Sequence, residues 1–313
     1  MGYVFGPVPS RRLGRSLGVD LVPFKTCTYD CIYCQLGRTT HQTVERRAWV
    51  PVQAVLREVR ACLNARPDYI TLAGSGEPTL HVGLDVIIAG LKGLTDIPVA
   101  VLTNGSLLWL PEVRAALAQA DVVLPTLAAG DEALFRYVHR PHETVTFERL
   151  VEGLIAFREA YDGKYWLEVF LLGGVTAIPA EVEKIAAAVR RIRPDRVQVN
   201  TVTRPPSEPY AMGVEKVELE RLAQALGDHA EVIADYHGPA FVRQSPGHCE
   251  AVLGLLRRRP CSLADVAIGL GMHPNEAVKC LGELAAQGLV EVMCQAGVPY
   301  YRTALVSDEP AAY

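Results

Sequence analysis

The sequence lacks any hydrophobic run long enough to cross a membrane. None of its apolar stretches approaches the roughly 18 to 20 residues that a transmembrane helix needs. The N-terminal segment MGYVFGPVPSRR lacks the apolar core of a signal peptide, and Gly6 stands where a myristoylation signal has Ser or Thr. We therefore expect a soluble, cytoplasmic protein with no membrane partner.

The chain also lacks a strong net charge. Its 313 residues carry a formal net charge of −4, which gives no global attraction to nucleic acid or to an anionic membrane. The length exceeds one average domain and half of the residues are hydrophobic. We therefore expect a large domain with a sizeable core and a small appendage.

Cysteine spacing is the most informative feature that is present. Because a secretion signal is missing, the eight cysteines are predicted to be reduced thiols, some of them metal ligands, rather than disulfides. Cys27, Cys31 and Cys34 lie within eight residues of each other. Three thiolates so close in sequence can hold three corners of a cubane iron–sulfur cluster and leave the fourth iron open to a small molecule. An electron-transfer cluster normally has a fourth cysteine.

The remaining cysteines are not predicted to bind metal. Cys62 and Cys280 fall on the apolar stripes of predicted helices, which indicates core positions. The gaps between the last four cysteines differ from a CxxC pair and do not favour a second cluster among Cys249, Cys261, Cys280 and Cys294.

Strand and helix patterns alternate along most of the chain. Apolar, β-branched runs bounded by Gly, Pro or Asp predict six strands, at 17–22, 69–73, 99–103, 122–126, 166–172 and 196–200. Helical periodicity predicts helices between them, at 52–63, 84–94, 112–120, 147–161 and 182–192. Strand–helix units in tandem imply a parallel sheet, open or curled into part of a barrel, with its chemistry at the carboxyl ends of the strands.

Polar loops follow the first three predicted strands. The cysteine loop follows the first strand, the run GSGEPT the second, and TNGS the third. Gly74 and Gly76 let the backbone approach a ligand closely, and Glu77 supplies an anion suited to an ammonium group. Asn104 offers a donor and an acceptor. An ordinary βα loop is the alternative for GSGEPT taken alone, but all three loops are expected at one rim.

The segment CTYDCIYC, residues 27–34, matches the CxxxCx(aromatic)C signature of the radical S-adenosylmethionine (SAM) superfamily, and Gly76-Glu77 resembles its Gly-Gly-Glu motif. The resemblance covers roughly residues 1–235. It implies a [4Fe-4S] cluster whose open iron chelates SAM, and reductive cleavage to a 5′-deoxyadenosyl radical that abstracts hydrogen from a substrate. It also implies a reductant such as flavodoxin or ferredoxin as a partner.

The resemblance assigns roles by position. It implies that Cys27, Cys31 and Cys34 bind iron and that Tyr33 lies near the adenine. Contact with the methionyl ammonium is implied for Ser75, Gly76 and Glu77. Candidates for the ribose, the methionyl carboxylate or the substrate lie at or near the ends of later strands, at Asn104, Thr126, Glu168 and Asn200. A solvated or structural role is the alternative for each of these four.

Within the superfamily, the cysteine loop and the run GSGEPTLH resemble the iron–sulfur oxidoreductases grouped with wyosine-forming tRNA enzymes. The chain departs from that group at two points. Ala128 stands where those relatives tend to carry Asp, and no cysteine precedes Cys27. Wyosine chemistry itself is therefore not predicted.

Basic residues are concentrated near the N-terminus, where the first fifty residues have a local charge of +4. Arg11 and Arg12, with Arg204 after the sixth strand, are candidates to bind a phosphate or carboxylate of the substrate, but an exposed basic face is the commoner explanation for such a cluster. His139 and His142 flank a proline that breaks helical spacing, so a metal pair is not expected there.

A second domain is predicted after a linker at 236–247, with the first domain at 1–235 and the second at 248–313. Its pattern predicts a winged helix with a short tail, formed by helices 250–258, 262–270 and 275–287 and a hairpin of 290–293 and 300–303. Five basic residues are balanced by five acidic ones between 248 and 305. The module is therefore predicted to be a protein or peptide docking site, a dimer contact or a lid rather than a DNA binder.

Taken together, the sequence predicts an α/β protein with a partial (β/α)6 barrel and a C-terminal winged helix, acting as a radical SAM enzyme. An RNA nucleobase and a peptide or protein are the alternative substrates. A third hypothesis is a non-catalytic redox regulator that uses the cluster as a sensor. A sensor needs neither a Gly-Glu loop nor an open iron, and its recognition helix should be basic.

Overall fold

The structure is a computed structural model of the chain and describes residues 2–234, 249–272 and 274–304. It forms two compact units, Met1–Gly238 and Pro239–Tyr313. The predicted linker at 236–247 lies outside the described residues, and the predicted domain limits stay a prediction. Within the described ranges, no helix is both long and apolar enough to reach across a lipid bilayer.

The first unit is built from alternating strands and helices. Its strands are β1 (Val4–Ser10), β2 (Gly14–Val19), β3 (Thr26–Cys27), β4 (His41–Gln42), β5 (Tyr69–Leu72), β6 (Val99–Thr103), β7 (Val122–Leu127), β8 (Lys164–Leu171), β9 (Arg196–Thr201) and β10 (Ala230–Val232). Its helices are α1 (Val52–Cys62), α2 (Leu84–Leu94), α3 (Pro111–Leu117), α4 (Glu132–His139), α5 (Phe147–Ala160), α6 (Pro179–Ile192) and α7 (Lys216–Ala223). Short 3₁₀ turns occupy Leu63–Ala65, Pro78–Leu80 and Gln224–Leu226.

Eight of these strands form one sheet in the order β1-β2-β5-β6-β7-β8-β9-β10. All neighbours from β2 to β10 pair in parallel, and β1 adds to the edge antiparallel to β2. The predicted parallel α/β sheet is therefore confirmed. The first predicted strand needs correction, because β2 ends at Val19 rather than at residue 22: Asp20 already leaves the sheet to accept a hydrogen bond from the Ser75 N–H (2.7 Å).

Alternation along the strands separates two faces of the sheet. Leu17 and Val19 of β2 are fully buried in the core that the helices cover, where each such side chain contributes about 1.5–3 kcal/mol to folding. Ser16 lies on the other face and shares a hydrogen bond of 2.6 Å with Thr71 of β5. Glu168 of β8, which is 9% exposed, likewise places a polar group among apolar residues. The face opposite the helix-covered core therefore carries several buried polar groups.

The second unit contains three helices and a small sheet within its described residues. They are α8 (Cys249–Leu256), β11 (Cys261–Ser262), α9 (Leu263–Leu270), α10 (Pro274–Ala286), β12 (Val290–Gln295) and β13 (Val298–Thr303), with the antiparallel strand order β11-β13-β12. Ser262 caps α9 in a capping box with Asp265, and Gly271 (φ 61°) ends that helix in the left-handed region.

One cysteine prediction is wrong. Cys249 and Cys280 form a disulfide, with Cα atoms 5.3 Å apart, although all eight cysteines were predicted to be reduced. The packing of α8 against α10 brings together two residues that are 31 positions apart, which the spacing in the sequence does not reveal. The core position predicted for Cys280 is confirmed, since it is 4% exposed. Cys62 is half-buried and packs against the core.

Candidate active site

The loops that follow β2 and β5 pack directly against each other. The backbone N–H of Lys25 donates to Ser75 O (2.7 Å), and that of Glu77 donates to Thr26 O (3.1 Å). Two hydrogen bonds of this kind fix the GSGEPT loop against the residues that lead into Cys27. The structure thus brings the first two predicted loops together.

Two glycines make this close approach possible. A Cβ on Gly76 would lie 1.8 Å from Thr26 O, so any side chain would collide with the backbone of the cysteine loop. Gly74 has φ +139°, and a Cβ there would lie 2.0 Å from the Asp20 carboxylate. Both positions therefore require glycine for steric reasons alone.

Gly76→Ala is expected to displace the loop that carries the cysteines. Backbone cannot yield as a flexible side chain can, and overpacking of this kind lowers the free energy of unfolding by about 1–3 kcal/mol. We expect the variant to lose most of the iron that the wild type retains after anaerobic reconstitution, measured as iron per chain. Gly93→Ala is the matched control, because a Cβ at Gly93 in α2 meets nothing within 4 Å. Equal iron content in both variants would contradict the packing argument.

The three cysteine sulfurs lie in an environment that disfavours free thiolates. Burial raises the pKa of Cys27 to about 12, with a further contribution from the charge of Glu77. Burial also raises the pKa values of Cys31 and Cys34. Bound iron would supply the positive charge that stabilises the thiolates.

Lys25 provides the test of whether the loop fits an iron–sulfur cluster. Its side chain is 5% exposed, and its Nζ has no hydrogen-bond partner among the described residues. Desolvation lowers its pKa, whereas negative charge at Cys34 raises it. A [4Fe-4S] core with three cysteine thiolates is an anion, and it would balance this buried ammonium. The donor set therefore fits such a cluster.

No three His, Cys, Asp or Glu side chains in the described part of the chain are placed to hold a single metal ion. A cubane cluster makes a different demand, because each cysteine binds a different iron atom.

Glu77 is 1% exposed and accepts four hydrogen bonds from the loops around it. Its Oε1 accepts hydrogen bonds from the Thr79 N–H (3.1 Å), the Thr79 hydroxyl (2.6 Å) and the Thr103 hydroxyl (2.6 Å). Its Oε2 accepts one, from the Asn104 N–H (2.7 Å). Burial raises the pKa of Glu77, and these hydrogen bonds act in the opposite direction. Oε2 keeps the larger capacity to accept a further donor.

Asn104 ties the loop after β6 to the cysteine loop. Its Nδ2 donates to the Thr28 hydroxyl (2.7 Å) and lies 3.5 Å from Cys27 Sγ, while its Oδ1 accepts from the Ser106 N–H (2.9 Å). All three loops predicted at the rim are thus connected by hydrogen bonds. The contact with Cys27 makes Asn104 a neighbour of the cluster ligands.

A second cluster of polar residues spans the face of the sheet opposite the helix-covered core. Arg12, from the turn between β1 and β2, forms an ion pair with Glu168 of β8. Glu168 also accepts hydrogen bonds from the Thr126 hydroxyl (2.8 Å) and from Asn200 Nδ2 (2.9 Å). Asn200 Oδ1 in turn accepts from Arg11 Nη1 (3.1 Å). These five residues, which we call the lumen network, come from four separate parts of the chain.

The lumen network contradicts the interpretation of Arg11 and Arg12 as part of an exposed basic face. Arg11 and Arg12 do not belong to an exposed basic face, since Arg12 is only 13% exposed at its side chain and both arginines bond to residues on later strands. Arg204, the third predicted substrate contact, is half-buried just after β9.

Tyr33, in the cysteine loop, packs against β8. Its ring stacks on Phe170 of β8, with centroids 4.1 Å apart and planes inclined by 16°. Phe170 is two residues beyond Glu168, on the same face of the strand. The two rings therefore form an apolar contact between the cysteine loop and the strand that carries Glu168.

Sequence reasoning missed His139. This residue ends α4, is 1% exposed, and places Nδ1 3.2 Å from Cys31 Sγ. Burial lowers its pKa to about 3. The signal that was available is its position on the apolar stripe of α4 with Phe135 and Val138, which marks a buried histidine. His142, by contrast, is exposed and contacts Thr144.

The comparisons with known proteins identify the family of this chain. A sequence profile of the radical SAM superfamily matches residues 21–189. A Brachyspira hyodysenteriae protein named GTPase Obg is 38% identical over 305 residues, which cover 95% of this chain and 45% of that protein. The chain therefore spans less than half the length of that relative.

The match to two further relatives spans a larger share of each of those proteins. A UPF0026 protein of Methanocaldococcus jannaschii is 37% identical over 237 residues, covering 74% of this chain and 73% of that protein. The probable dual-specificity RNA methyltransferase RlmN of Parasynechococcus marenigrum is 25% identical over 250 residues, covering 74% of this chain and 67% of that protein.

A solved structure supports the same fold. The crystal structure of a radical SAM methyltransferase from Sphaerobacter thermophilus superposes with a TM-score of 0.54 at 17% identity, covering 69% of this chain and 65% of that one. The mostly parallel sheet agrees with the partial barrel of such enzymes. By its sequence match and its fold, the chain belongs to the radical SAM superfamily, whose members are enzymes that use a [4Fe-4S] cluster and S-adenosylmethionine.

Proposed function

We propose that this chain cleaves SAM reductively at a cluster held by Cys27, Cys31 and Cys34. The observation that carries the proposal is the packing of the three-cysteine loop, with its buried Lys25 ammonium, onto the Gly76-Glu77 loop. These three thiolates would hold the cluster, which would supply, when bound and reduced, the one electron needed to break a C–S bond of SAM into methionine and the 5′-deoxyadenosyl radical, for hydrogen abstraction from a substrate.

The surrounding side chains would orient SAM and exclude water. Oε2 of Glu77 has room to accept a hydrogen bond from the methionyl ammonium, and its buried charge strengthens that bond. Gly76 and Ser75 hold Glu77 against the cysteine loop. The stacked rings of Tyr33 and Phe170 offer an apolar surface for the adenine. Asn104 would then act mainly through Cys27 and Thr28.

The lumen network would receive the substrate. Arg11 and Arg12 carry guanidinium groups suited to phosphate or carboxylate, and Glu168, Asn200 and Thr126 hold them in place. An RNA nucleobase is the first candidate target, because a relative at 25% identity is described as an RNA methyltransferase. We propose the same role in substrate binding for Arg204, which follows β9.

We further propose that the second unit is a winged helix. Its order of helix, strand, two helices and two strands supports this assignment. The balance of five basic and five acidic residues in 248–305 favours a peptide or protein as the partner of this unit, and so peptide modification is the second candidate function. A cytoplasmic location and a flavodoxin or ferredoxin reductant complete the proposal. The non-catalytic regulator hypothesis is dropped, because the family consists of enzymes.

Anaerobic reconstitution with iron and sulfide, followed by dithionite and SAM, is expected to yield 5′-deoxyadenosine and methionine, detected by mass spectrometry. The reaction without dithionite is the control. A reconstituted protein that carries four irons per chain yet forms no 5′-deoxyadenosine contradicts the proposal.

The substrate class can be read from the same product. RNA and protein fractions from cells grown in heavy water would be supplied separately. Deuterium in 5′-deoxyadenosine with the RNA fraction supports a nucleobase target, and deuterium with the protein fraction alone supports peptide modification.

A further inference from the structure

The α4 helix holds the cysteine loop through its last turn. Val138 O accepts a hydrogen bond from the Ile32 N–H (3.0 Å), and His139 O accepts one from the Asp30 N–H (3.0 Å). These two backbone bonds lie on either side of Cys31. The imidazole of His139, which extends from the same turn, is therefore fixed relative to the Cys31 sulfur at an Nδ1 to Sγ distance of 3.2 Å.

Aromatic rings surround the His139 imidazole. Its centroid lies 4.8 Å from that of Tyr29, 5.3 Å from Phe135 and 5.8 Å from Tyr33. With the residue 1% exposed, these rings keep water away from the nitrogen that faces Cys31. A hydrogen bond in such a dry environment is stronger than one exposed to solvent.

The position of the ring proton follows from the contacts of the two nitrogens. A neutral imidazole carries one N–H. Nε2 is buried without a hydrogen-bond partner among the described residues, so a proton there would have no acceptor. A proton on Nδ1 points toward Cys31 Sγ. An iron-bound Cys31 thiolate has no proton to donate, so in that state the donor of this contact would be His139.

We propose that His139 donates an N–H···S hydrogen bond to the Cys31 thiolate and thereby raises the reduction potential of the cluster that this thiolate binds. The inference rests on the proposed function, because it needs a cluster at Cys31. Reduction adds negative charge that spreads onto the sulfurs, and a donor aimed at one of them stabilises the reduced state more than the oxidised state. Hydrogen bonds to the sulfurs are among the factors that set such potentials.

The test is a redox titration of the reconstituted full chain, monitored by electron paramagnetic resonance. His139→Phe keeps an aromatic ring in the cage but removes the donor, and we expect its midpoint potential to shift to a more negative value. His139→Asn places an amide N–H near the position of Nδ1, and we expect its potential to return toward that of the wild type. His142→Phe, three residues further along on an exposed position, is the matched control and should titrate like the wild type.

An unchanged potential in His139→Phe, or an equal shift in His139→Phe and His139→Asn, would overturn the inference. If His139→Phe fails to hold iron, a measurement on the wild type can still test the hydrogen bond. Electron–nuclear double resonance of the reduced wild-type cluster should show an exchangeable proton coupled to the cluster that is lost in heavy water and missing in His139→Leu, whose side chain has no donor. Its absence from the wild type refutes the hydrogen bond. A wild type that assembles no four-iron cluster refutes the proposed function instead.

Discussion

Cys31→Ala is expected to leave a folded protein that no longer cleaves SAM. Removal of one cluster ligand takes away the reacting centre, so the loss should exceed the roughly 10- to 100-fold effect that is typical of residues that only support a metal ligand. The backbone around Cys31 is held by α4, and therefore the circular dichroism spectrum should stay that of the wild type. Iron per chain and 5′-deoxyadenosine formation are the two measurements.

Cys62→Ala is the matched control for this prediction. Cys62 is a half-buried free cysteine that packs against the core from α1, away from the cysteine loop. The Cys62→Ala variant should keep its iron and should still form 5′-deoxyadenosine. If Cys31→Ala still formed 5′-deoxyadenosine at the wild-type rate, or if Cys62→Ala lost it equally, the assignment of the ligands would be wrong.

Glu77→Gln is expected to weaken SAM binding by about 10- to 100-fold, which is the loss of one charge-assisted hydrogen bond of about 1.5–3 kcal/mol. The substitution keeps the shape of the side chain but removes the charge that would meet the methionyl ammonium. Isothermal titration of the reconstituted, oxidised protein with SAM measures the effect without any turnover.

The variant Thr103→Val distinguishes a role of Glu77 in SAM binding from a role in holding the loops together. It removes one of the donors to Glu77 while the carboxylate stays in place, so the free energy of unfolding should fall by about 1 kcal/mol with a smaller effect on SAM affinity. An equal loss of SAM affinity in both variants would show that Glu77 acts only by holding the loops together.

Glu77 also predicts a dependence of stability on pH in the metal-free protein. Because burial raises its pKa above the ordinary value of 4.5, the unfolded chain releases this proton at a lower pH than the folded chain does. The free energy of unfolding should therefore fall as the pH rises from 4.5 through the raised pKa. Chemical denaturation across this range should show a smaller fall for Glu77→Gln.

Much of the fold could be predicted from sequence because its signals are local. The β-branched runs bounded by Gly, Pro or Asp predicted six of the parallel strands, with β2 ending earlier than expected, but not the short parallel strand β10. The edge strand β1 was missed, since Gly6, Pro7 and Pro9 interrupt its alternation. The short helices α4 and α7 were also missed, because each spans only eight residues.

The site was predictable only as far as its motifs are contiguous. The three cysteines and the Gly-Glu loop can each be recognised within a few consecutive residues. Both follow parallel strands, and the carboxyl ends of such strands meet at one edge of the sheet, so the two motifs were predicted to lie together. The ion pair of Arg12 with Glu168 joins positions 156 residues apart, and the contact of His139 with Cys31 joins positions 108 apart. No local pattern specifies either pairing, because both depend on how the elements pack.

Backbone hydrogen bonds from a distant part of the chain hold the cysteine loop in place. Its amides at Asp30 and Ile32 bond to the end of α4, and the Thr28 carbonyl accepts the His142 N–H (2.9 Å). The placement of the three thiols therefore depends on the integrity of a helix far along the sequence. A substitution that unwinds the last turn of α4 would release the loop as well, although it changes no residue of the motif.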